Sequence, residues 1–267
     1  MQKKDSNVRK IVRDEYSKIA KQETCCCKSK NILDVSKSIG YSNSDVDSVP
    51  EGANLGLGCG NPVALASLKE GETVLDLGSG AGIDCFLAAN RVGDSGKVIG
   101  VDMTDEMIKK ARENAIQGNY KNVEFRLGEI ENIPVDNSSV DVIISNCVIN
   151  LSPDKKKVFE EAFRILKPGG RIMVSDIVLL KNLPGSIRKS ISAYIGCVAG
   201  AIKKQEYINL IREVGFKDIR IIDETVYPLE IVGNDIIKID KKFQTKDDLN
   251  SLKDSVSSIK ISAIKPN

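Results

Sequence analysis

The sequence predicts an α/β protein in which a doubly wound, mostly parallel sheet carries helices on both faces. From Thr73 onward, short apolar segments alternate with helical segments of about 12 residues, which is typical of parallel strands joined by helices. The first apolar segment runs directly into the glycine-rich turn Gly78–Gly82. Of the 267 residues, 41% are hydrophobic and 28% are charged, as expected for a globular chain with a sizeable core.

Each predicted strand is a short apolar run bounded by glycine, proline or polar residues. Seven such runs occur, and the last one alternates apolar and polar residues. In chain order the predicted strands cover residues 73–77, 97–103, 122–127, 140–151, 171–179, 216–222 and 257–265.

The predicted helices combine apolar residues at helical spacing with recognisable end signals. Thr104 is a favourable N-cap, and Gly93 and Gly215 suit helix ends. Residues 23–62 are rich in Ser, Asn, Gly and Pro and predict an irregular segment. The predicted helices cover residues 5–22, 83–93, the segment after Thr104, 153–167 and 186–214.

Charge and hydropathy exclude several classes of function. The 39 basic and 37 acidic residues nearly balance, so we expect no nucleic-acid partner. The longest weakly polar run, residues 191–202, is too short to cross a membrane, so no membrane association is expected. The first 22 residues lack the apolar core of a signal peptide, which predicts a cytoplasmic protein, and a monomer is the expected state.

Histidine is absent, which excludes catalysis by Ser-His-Asp or Cys-His groups and zinc sites with histidine ligands. An odd number of cysteines in a chain without a signal peptide indicates thiol chemistry rather than a disulfide framework. The seven cysteines are Cys25, Cys26, Cys27, Cys59, Cys85, Cys147 and Cys197.

The glycine turn and two carboxylates predict a nucleotide-binding crevice. Asp76 lies directly before the turn, and Asp102 ends the next strand about 20 residues after Gly82. That is the spacing at which a carboxylate receives ribose hydroxyls. A dinucleotide motif would require glycine where this chain has Ile83.

With Asp76 before the turn, residues 74–82 resemble the class I S-adenosylmethionine methyltransferases. The resemblance implies a Rossmann-like, seven-stranded fold with S-adenosyl-L-methionine as co-substrate, an N-terminal helical cap and substrate-side helices. It implies that Asp102 binds the ribose and Met103 packs on the adenine, although Met103 also suits a core position and Glu129 a solvated surface charge. The implied cofactor-binding residues are Asp76, Gly78, Ser79, Gly80, Asp102, Met103, Gly128, Glu129, Ile130 and Asn146.

Three separated cysteines are predicted near this crevice. Cys59 lies between two glycines on a loop, Cys147 follows the fourth strand, and Cys197 lies in a predicted apolar helix. Any single cysteine can be a small buried hydrophobe, which is our interpretation of Cys85. Three thiolates at one cleft instead suit a soft centre of trigonal geometry, since zinc would favour four ligands with paired spacing.

Residues 50–62, 76–85 and 145–151, which carry Cys59, Cys85 and Cys147, resemble the arsenite S-adenosylmethionine methyltransferase family. The similarity covers roughly residues 8–222. It implies methylation of trivalent arsenic, supplied as arsenite or its thiol conjugates and held by Cys59, Cys147 and Cys197. Some family members have a long C-terminal domain, and we expect its function to be absent here.

The resemblance also implies a redox cycle. One cysteine of the cluster Cys25, Cys26 and Cys27 would pair with Cys59 as a disulfide after methylation, and Cys26 is our candidate for the catalytic residue among them. Thioredoxin or glutathione would then reduce it. The family has a single essential cysteine in this region, so the triplet leaves the choice among the three open.

The expected organisation is a cap with the redox cluster in residues 1–58, a cofactor-binding core in residues 59–180, and substrate-side helices with the closing strands in residues 181–267. Two other functions remain open from the residues. One is methylation of a small organic metabolite with the cysteines merely buried. The other is an arsenic or metal sensor that uses S-adenosylmethionine as an effector.

Overall fold

The computed structural model describes residues 2–21, 26–183, 185–188, 194, 196–226 and 255–267. Seven strands form one sheet in the order β3-β2-β1-β4-β5-β7-β6. The first five strands in this order, β3, β2, β1, β4 and β5, run parallel to one another. Strand β7 is antiparallel to its neighbours β5 and β6. Their bounds are β1 Thr73–Leu77, β2 Lys97–Asp102, β3 Val123–Leu127, β4 Val140–Asn146, β5 Leu166–Leu179, β6 Lys217–Val226 and β7 Val256–Ile264.

Helices cover both faces of this sheet, which confirms the predicted fold class. One apolar cluster includes Phe159 and Tyr207, and a second on the other side includes Phe86 and Ile108. Burying two such clusters is the main stabilising contribution to a sheet of this kind. The helices are α1 Gln2–Lys21, α2 Cys26–Ser38, α3 Asn43–Asp47, α4 Pro62–Leu65, α5 Ile83–Val92, α6 Asp105–Gln117, α7 Lys155–Ile165, α8 Gly185–Arg188 and α9 Lys204–Val214, with short 3₁₀ turns at Glu51–Ala53 and Ile149–Leu151.

The prediction of an irregular segment over residues 23–62 is wrong, because α2 and α3 lie there and α4 begins at its last residue. The capping box of Ser42 and Asp45 stabilises α3 locally, a signal that the apolar pattern does not contain. The strand predicted over residues 140–151 ends at Asn146, where Cys147 takes a left-handed backbone. The long helix predicted over residues 186–214 is also wrong, since turns occupy residues 196–200.

Helix α1 lies across the carboxyl-terminal edge of the sheet. Val12 is buried from its underside, and Arg9 forms an ion pair with Glu131 at 3.2 Å. Lys21 reaches Glu106 on α6 at 2.8 Å. The N-terminal helix therefore covers the end of the sheet at which ligands bind in open α/β proteins.

The proposed division at residues 58 and 180 stays a prediction. Within the described residues, no helix is both long and apolar enough to pass through a bilayer.

Candidate functional site

A cavity of about 600 Å³ opens at the carboxyl ends of β1, β2 and β4. The strand order reverses between β1 and β4, which is where open α/β sheets form their binding crevice. Asp76 and Asp102 line one end of the cavity, and Cys147 and Cys197 line the other. We refer to these as the cofactor end and the thiol end.

The glycine turn at the cofactor end has a backbone that few other residues tolerate. Gly78, Gly80 and Gly82 all have positive φ angles, of 68°, 52° and 100°. A Cβ atom at Gly78 would collide with Val148, whereas one at Gly80 would meet no heavy atom of the described residues within 4 Å. The turn thus leaves open space at Gly80, next to the start of α5.

Asp102 supports this turn from β2. Its carboxylate accepts hydrogen bonds from the backbone amides of Gly80 at 3.0 Å and Thr104 at 2.9 Å. Burial raises the pKa of Asp102, and these backbone donors oppose the shift. Thr104 is the N-cap as predicted, but its side chain makes no capping bond.

Asp76 is buried, and its surroundings disfavour the charged form of its carboxyl group. Burial raises the pKa of Asp76 well above its ordinary value, and the neighbouring carboxylate of Asp84 raises it further. The Cys85 thiol donates a hydrogen bond to Asp76 at 3.3 Å, and Cys85 is fully buried as predicted. A cationic group next to Asp76 would stabilise its ionised carboxylate.

The hydroxyl of Ser79 is buried and has no hydrogen-bond partner among the described residues. Buried hydroxyls usually have a partner, so this atom is available to a ligand in the cavity that Ser79 lines. Ser79 therefore supports the predicted use of the turn residues in binding.

Met103, Gly128 and Ile130 also line the cavity, as predicted. Glu129 does not line it, and its carboxylate lies 3.4 Å from Arg13 and 3.6 Å from Arg9 of α1. The buried Glu131 lines the wall instead.

The amide of Asn146 connects the two ends of the cavity. Its nitrogen donates to the Gly60 carbonyl at 2.7 Å, the Tyr41 hydroxyl at 2.9 Å and Asp84 at 3.1 Å. Its oxygen accepts the backbone amide of Cys59 at 3.0 Å. Sequence reasoning missed Tyr41 and Asp84, which lie on elements far from Asn146 in the chain.

The thiol end brings the three predicted cysteines into one buried cluster. Cys59, Cys147 and Cys197 are all buried and pack with Val12 of α1 and Ile177 of β5. The Cys147 thiol interacts electrostatically with both other thiols, and the Cys59 sulfur lies 3.9 Å from the Ser175 hydroxyl. The Cys197 thiol donates to the Cys147 carbonyl oxygen at 2.7 Å.

Cys147 and Cys197 have φ angles of 61° and 62°, in the left-handed region. Residues other than glycine adopt this backbone uncommonly, and such strain tends to occur at functional sites. The position of Cys197 in a turn, rather than in the predicted helix, gives it this conformation.

Burial raises the pKa values of the Cys59 and Cys147 thiols. For Cys147 the shift is large, and its contacts with Cys197 and Cys59 raise the pKa further. Both groups are therefore neutral thiols near pH 7 in the structure.

Asp176 lies directly behind the thiols and was not predicted. Its carboxylate, the Cys59 sulfur and the Cys147 sulfur place ligand atoms within 4.8 Å of one another. Asn150 at 2.8 Å, the Ile177 amide at 2.9 Å and Tyr207 at 3.0 Å donate to the carboxylate. Burial raises the pKa of Asp176 to about 6.

The predicted redox cluster is not tested by these contacts. Cys25 lies outside the described residues, and Cys26 and Cys27 begin α2 without described side chains. The choice among them stays open.

Comparisons with known proteins agree with this architecture. A methyltransferase domain family model matches residues 68–215. A curated arsenite methyltransferase of Halobacterium salinarum is 48% identical over 227 residues, which cover 80% of this chain and 58% of that protein. The human arsenite methyltransferase is 35% identical over 182 residues, covering 65% of this chain and 48% of that protein.

A solved structure extends the comparison to the fold. The crystal structure of an arsenic(III) S-adenosylmethionine methyltransferase from Chlamydomonas reinhardtii matches with a TM-score of 0.64 and 32% identity. The match covers 87% of this chain and 74% of that one. This chain belongs to the arsenite methyltransferase family.

The family membership confirms the resemblance carried by the cysteine-bearing runs and the class I methyltransferase fold. The chain spans about half the length of the curated arsenite methyltransferases it matches. More distant solved structures, such as a Haemonchus contortus phosphoethanolamine methyltransferase at 20% identity, share the fold.

Proposed function

We propose that this chain transfers methyl groups from S-adenosyl-L-methionine to trivalent arsenic. The observation that carries the proposal is that Cys147 and Cys197 line one end of a cavity, in one buried cluster with Cys59, while the other end has the glycine turn and two carboxylates. A buried cluster of reduced thiols binds thiophilic centres, and its position fixes where the methyl donor must lie.

The cofactor end has the groups that S-adenosyl-L-methionine requires. Asp76 faces the region where a cationic ammonium group would lower its electrostatic cost, and Ser79 offers an unpaired hydroxyl. Asp102 lies at the end of β2, where ribose hydroxyls are bound in related folds. Met103, Gly128 and Ile130 supply a surface for the adenine.

Neutral thiols suit the capture of arsenite. Each thiol gives its proton to one hydroxide of As(OH)₃, so that an As–S bond forms and a water molecule leaves. Cys59, Cys147 and Cys197 would hold arsenic as a pyramid of three sulfurs with its lone pair at the apex. No net proton is released, so the raised thiol pKa values do not oppose capture.

S-adenosyl-L-methionine supplies an electrophilic methyl group on a sulfonium. The arsenic lone pair forms the As–C bond as the C–S bond breaks, and the electron pair of that bond stays on sulfur. The arsenic nucleophile has no proton to lose, so the residues around it position it and need not act as a general base. The absence of histidine is consistent with this chemistry.

Methyl transfer formally oxidises arsenic from As(III) to As(V), and two thiols can return the two electrons by forming a disulfide. We assign this step to Cys59 with one cysteine of the cluster Cys25, Cys26 and Cys27, on the basis of the family resemblance. Thioredoxin or glutathione would reduce the disulfide. We infer that the chain acts as a monomer in the cytoplasm.

The test is an assay of the full chain with arsenite, methyl-labelled S-adenosyl-L-methionine and a thiol reductant. Separation of arsenic species by mass should detect methylarsenicals. Cys147→Ser should lower the rate by about 100-fold or more, because it removes the central thiol that positions arsenic.

Cys85→Ser is the matched control, since Cys85 is buried beside Asp76 and a serine hydroxyl can make the same hydrogen bond. It should retain most of the activity. Equal activity of the two variants would show that the thiol cluster does not hold the methyl acceptor. Methylation of another acceptor with no arsenic product would favour a small organic substrate.

A further inference from the structure

We propose that the thiol end also binds a divalent d¹⁰ cation, Zn²⁺ or Cd²⁺, through Cys59, Cys147 and Asp176, and that the cation blocks arsenic capture. This inference goes beyond methyl transfer, because it gives Asp176 a ligand role that arsenic does not require. It makes the site a point of competition between two kinds of thiophilic ion.

The geometry of the three donors carries the inference. The sulfurs of Cys59 and Cys147 and a carboxylate oxygen of Asp176 all lie within 4.8 Å of one another, and all three residues are buried. A zinc ion lies about 2.3 Å from sulfur and about 2.0 Å from oxygen, so two sulfurs on one ion are at most about 4.6 Å apart. Donor atoms that lie within 4.8 Å of one another are therefore close to the separation that one ion requires.

The carboxylate is already oriented for such a role. One oxygen of Asp176 accepts hydrogen bonds from Asn150 and the Ile177 amide, and the other accepts one from Tyr207. A carboxylate oxygen can accept two bonds, so the oxygen facing Tyr207 retains one lone pair. Outer hydrogen bonds of this kind hold a ligand in place and tune its affinity for a metal.

Charge balance also favours a divalent ion. Two thiolates and one carboxylate carry three negative charges, of which the cation neutralises two. The ammonium group of Lys155 interacts with both Asp176 and Cys197 and offsets the third. As the cation binds, the protons of the Cys59 and Cys147 thiols pass to solvent.

The use of Cys197 distinguishes arsenic binding from binding of a divalent cation. Its sulfur is not in the group of donors within 4.8 Å, and its thiol is engaged by the Cys147 carbonyl. Arsenic needs this third sulfur, whereas a divalent cation can use the carboxylate and fill its fourth position with water from the cavity. The two ions therefore share Cys59 and Cys147 and differ in the third donor.

The experiment is a titration of the full, reduced and metal-free chain with Cd²⁺, followed by the ultraviolet absorption of cadmium–thiolate bonds. The background variant carries Cys25→Ser, Cys26→Ser and Cys27→Ser, so that the N-terminal cluster adds no signal. We expect one cadmium ion per chain, lost in Cys147→Ser and unchanged in Cys85→Ser. Arsenite added first should prevent cadmium binding.

Two further variants distinguish the donors. Asp176→Asn should weaken cadmium binding about tenfold or more, with arsenite binding retained as evidence of an intact site. Cys197→Ser should weaken arsenite binding and leave cadmium binding close to the background value. This second pattern is informative even where Asp176→Asn fails to fold.

Cadmium binding that is unaffected by Asp176→Asn in a folded chain, or simultaneous binding of cadmium and arsenite, would overturn the inference. Failure of arsenite methylation alone would not, because the cadmium titration measures no turnover. Methylation of arsenic without any cadmium binding would support the proposed function and contradict the inference of a competing cation.

Discussion

The cofactor end of the cavity is built from neighbouring strand ends of one parallel sheet, whereas the thiol end joins a loop before the sheet, the end of β4 and a turn after β5. Asp76 is the penultimate residue of β1 and Asp102 is the last residue of β2, and these two strands pair along their length. Cys197 and Cys147 are 50 residues apart, and the Cys197 thiol donates a hydrogen bond to the Cys147 carbonyl oxygen. The first arrangement is common to open α/β sheets, whereas the second depends on three segments that are distant in sequence.

In the proposed function this difference has a consequence for specificity. The strand ends and the glycine turn would place the methyl donor, and the three cysteine-bearing segments would determine which acceptor receives the methyl group. Asn146 contacts both parts, because its amide binds the Cys59 backbone and the carboxylate of Asp84. Changes at one end should therefore leave the other end working, unless they disturb this amide.

Among these variants, Asp102→Asn is expected to have the largest effect, and to affect the cofactor end without affecting the thiol end. The substitution removes the negative charge and one of the two oxygens that accept the backbone amides of Gly80 and Thr104, so the weakened turn should raise the KM for S-adenosyl-L-methionine about 10- to 100-fold. Arsenite affinity should stay at the wild-type value, because the backbone amides that Asp102 holds, those of Gly80 and Thr104, belong to the cofactor end. Steady-state kinetics with varied cofactor and direct arsenite binding measure the two effects. A parallel loss of arsenite affinity would mean that the ends are not independent.

A smaller effect, on stability, is expected to distinguish alanine substitutions at two glycines of the turn. Both Gly80 and Gly82 have positive φ, so alanine strains both, but a Cβ at Gly82 would also lie 2.8 Å from the rings of Phe86 and Phe125. We expect Gly82→Ala to be less stable than Gly80→Ala by about 1–3 kcal/mol, the usual cost of overpacking. Denaturant unfolding of the two variants provides the comparison. Equal stabilities would show that the aromatic rings move aside.

The smallest expected effect concerns strain at the thiol end. Cys147 has a left-handed backbone, so Cys147→Gly should be more stable than Cys147→Ala by about 1 kcal/mol. Cys85 lies inside α5, where the order should reverse and glycine should cost about 1 kcal/mol relative to alanine. Chemical unfolding of the four variants tests both signs. The same order at both positions would remove the argument that Cys147 is strained.

Local signals were sufficient to predict most of the sheet. The strand at Thr73–Leu77 matches its predicted bounds, because a short apolar run followed by a glycine turn is encoded within a few residues. Helix α5 likewise begins at Ile83 and ends at Val92 before Gly93. The antiparallel placement of β7 has no such local signal, since it depends on pairing with β5 and β6.

The candidate site divides in the same way. The turn residues and Cys59 were recognisable from motif and family resemblance, whereas Asp176 and Glu131 were not. Asp176 is recognisable only from contacts with Tyr207 and Asn150, which lie 31 and 26 residues away in sequence. Glu131 lies beside a predicted residue, but its role depends on Arg9, 122 residues away. No spacing rule connects such pairs.

The loop of Cys59 is fastened by a residue that is synthesised much later. The Ser258 hydroxyl of β7 donates to the Cys59 carbonyl at 2.8 Å, across 199 residues of sequence. Because translation proceeds from the N-terminus, Cys59 leaves the ribosome long before this partner exists. A nascent chain therefore carries Cys59 before the contact that holds its loop can form, and an arsenical met at that stage would encounter a thiol that is not yet held in the site.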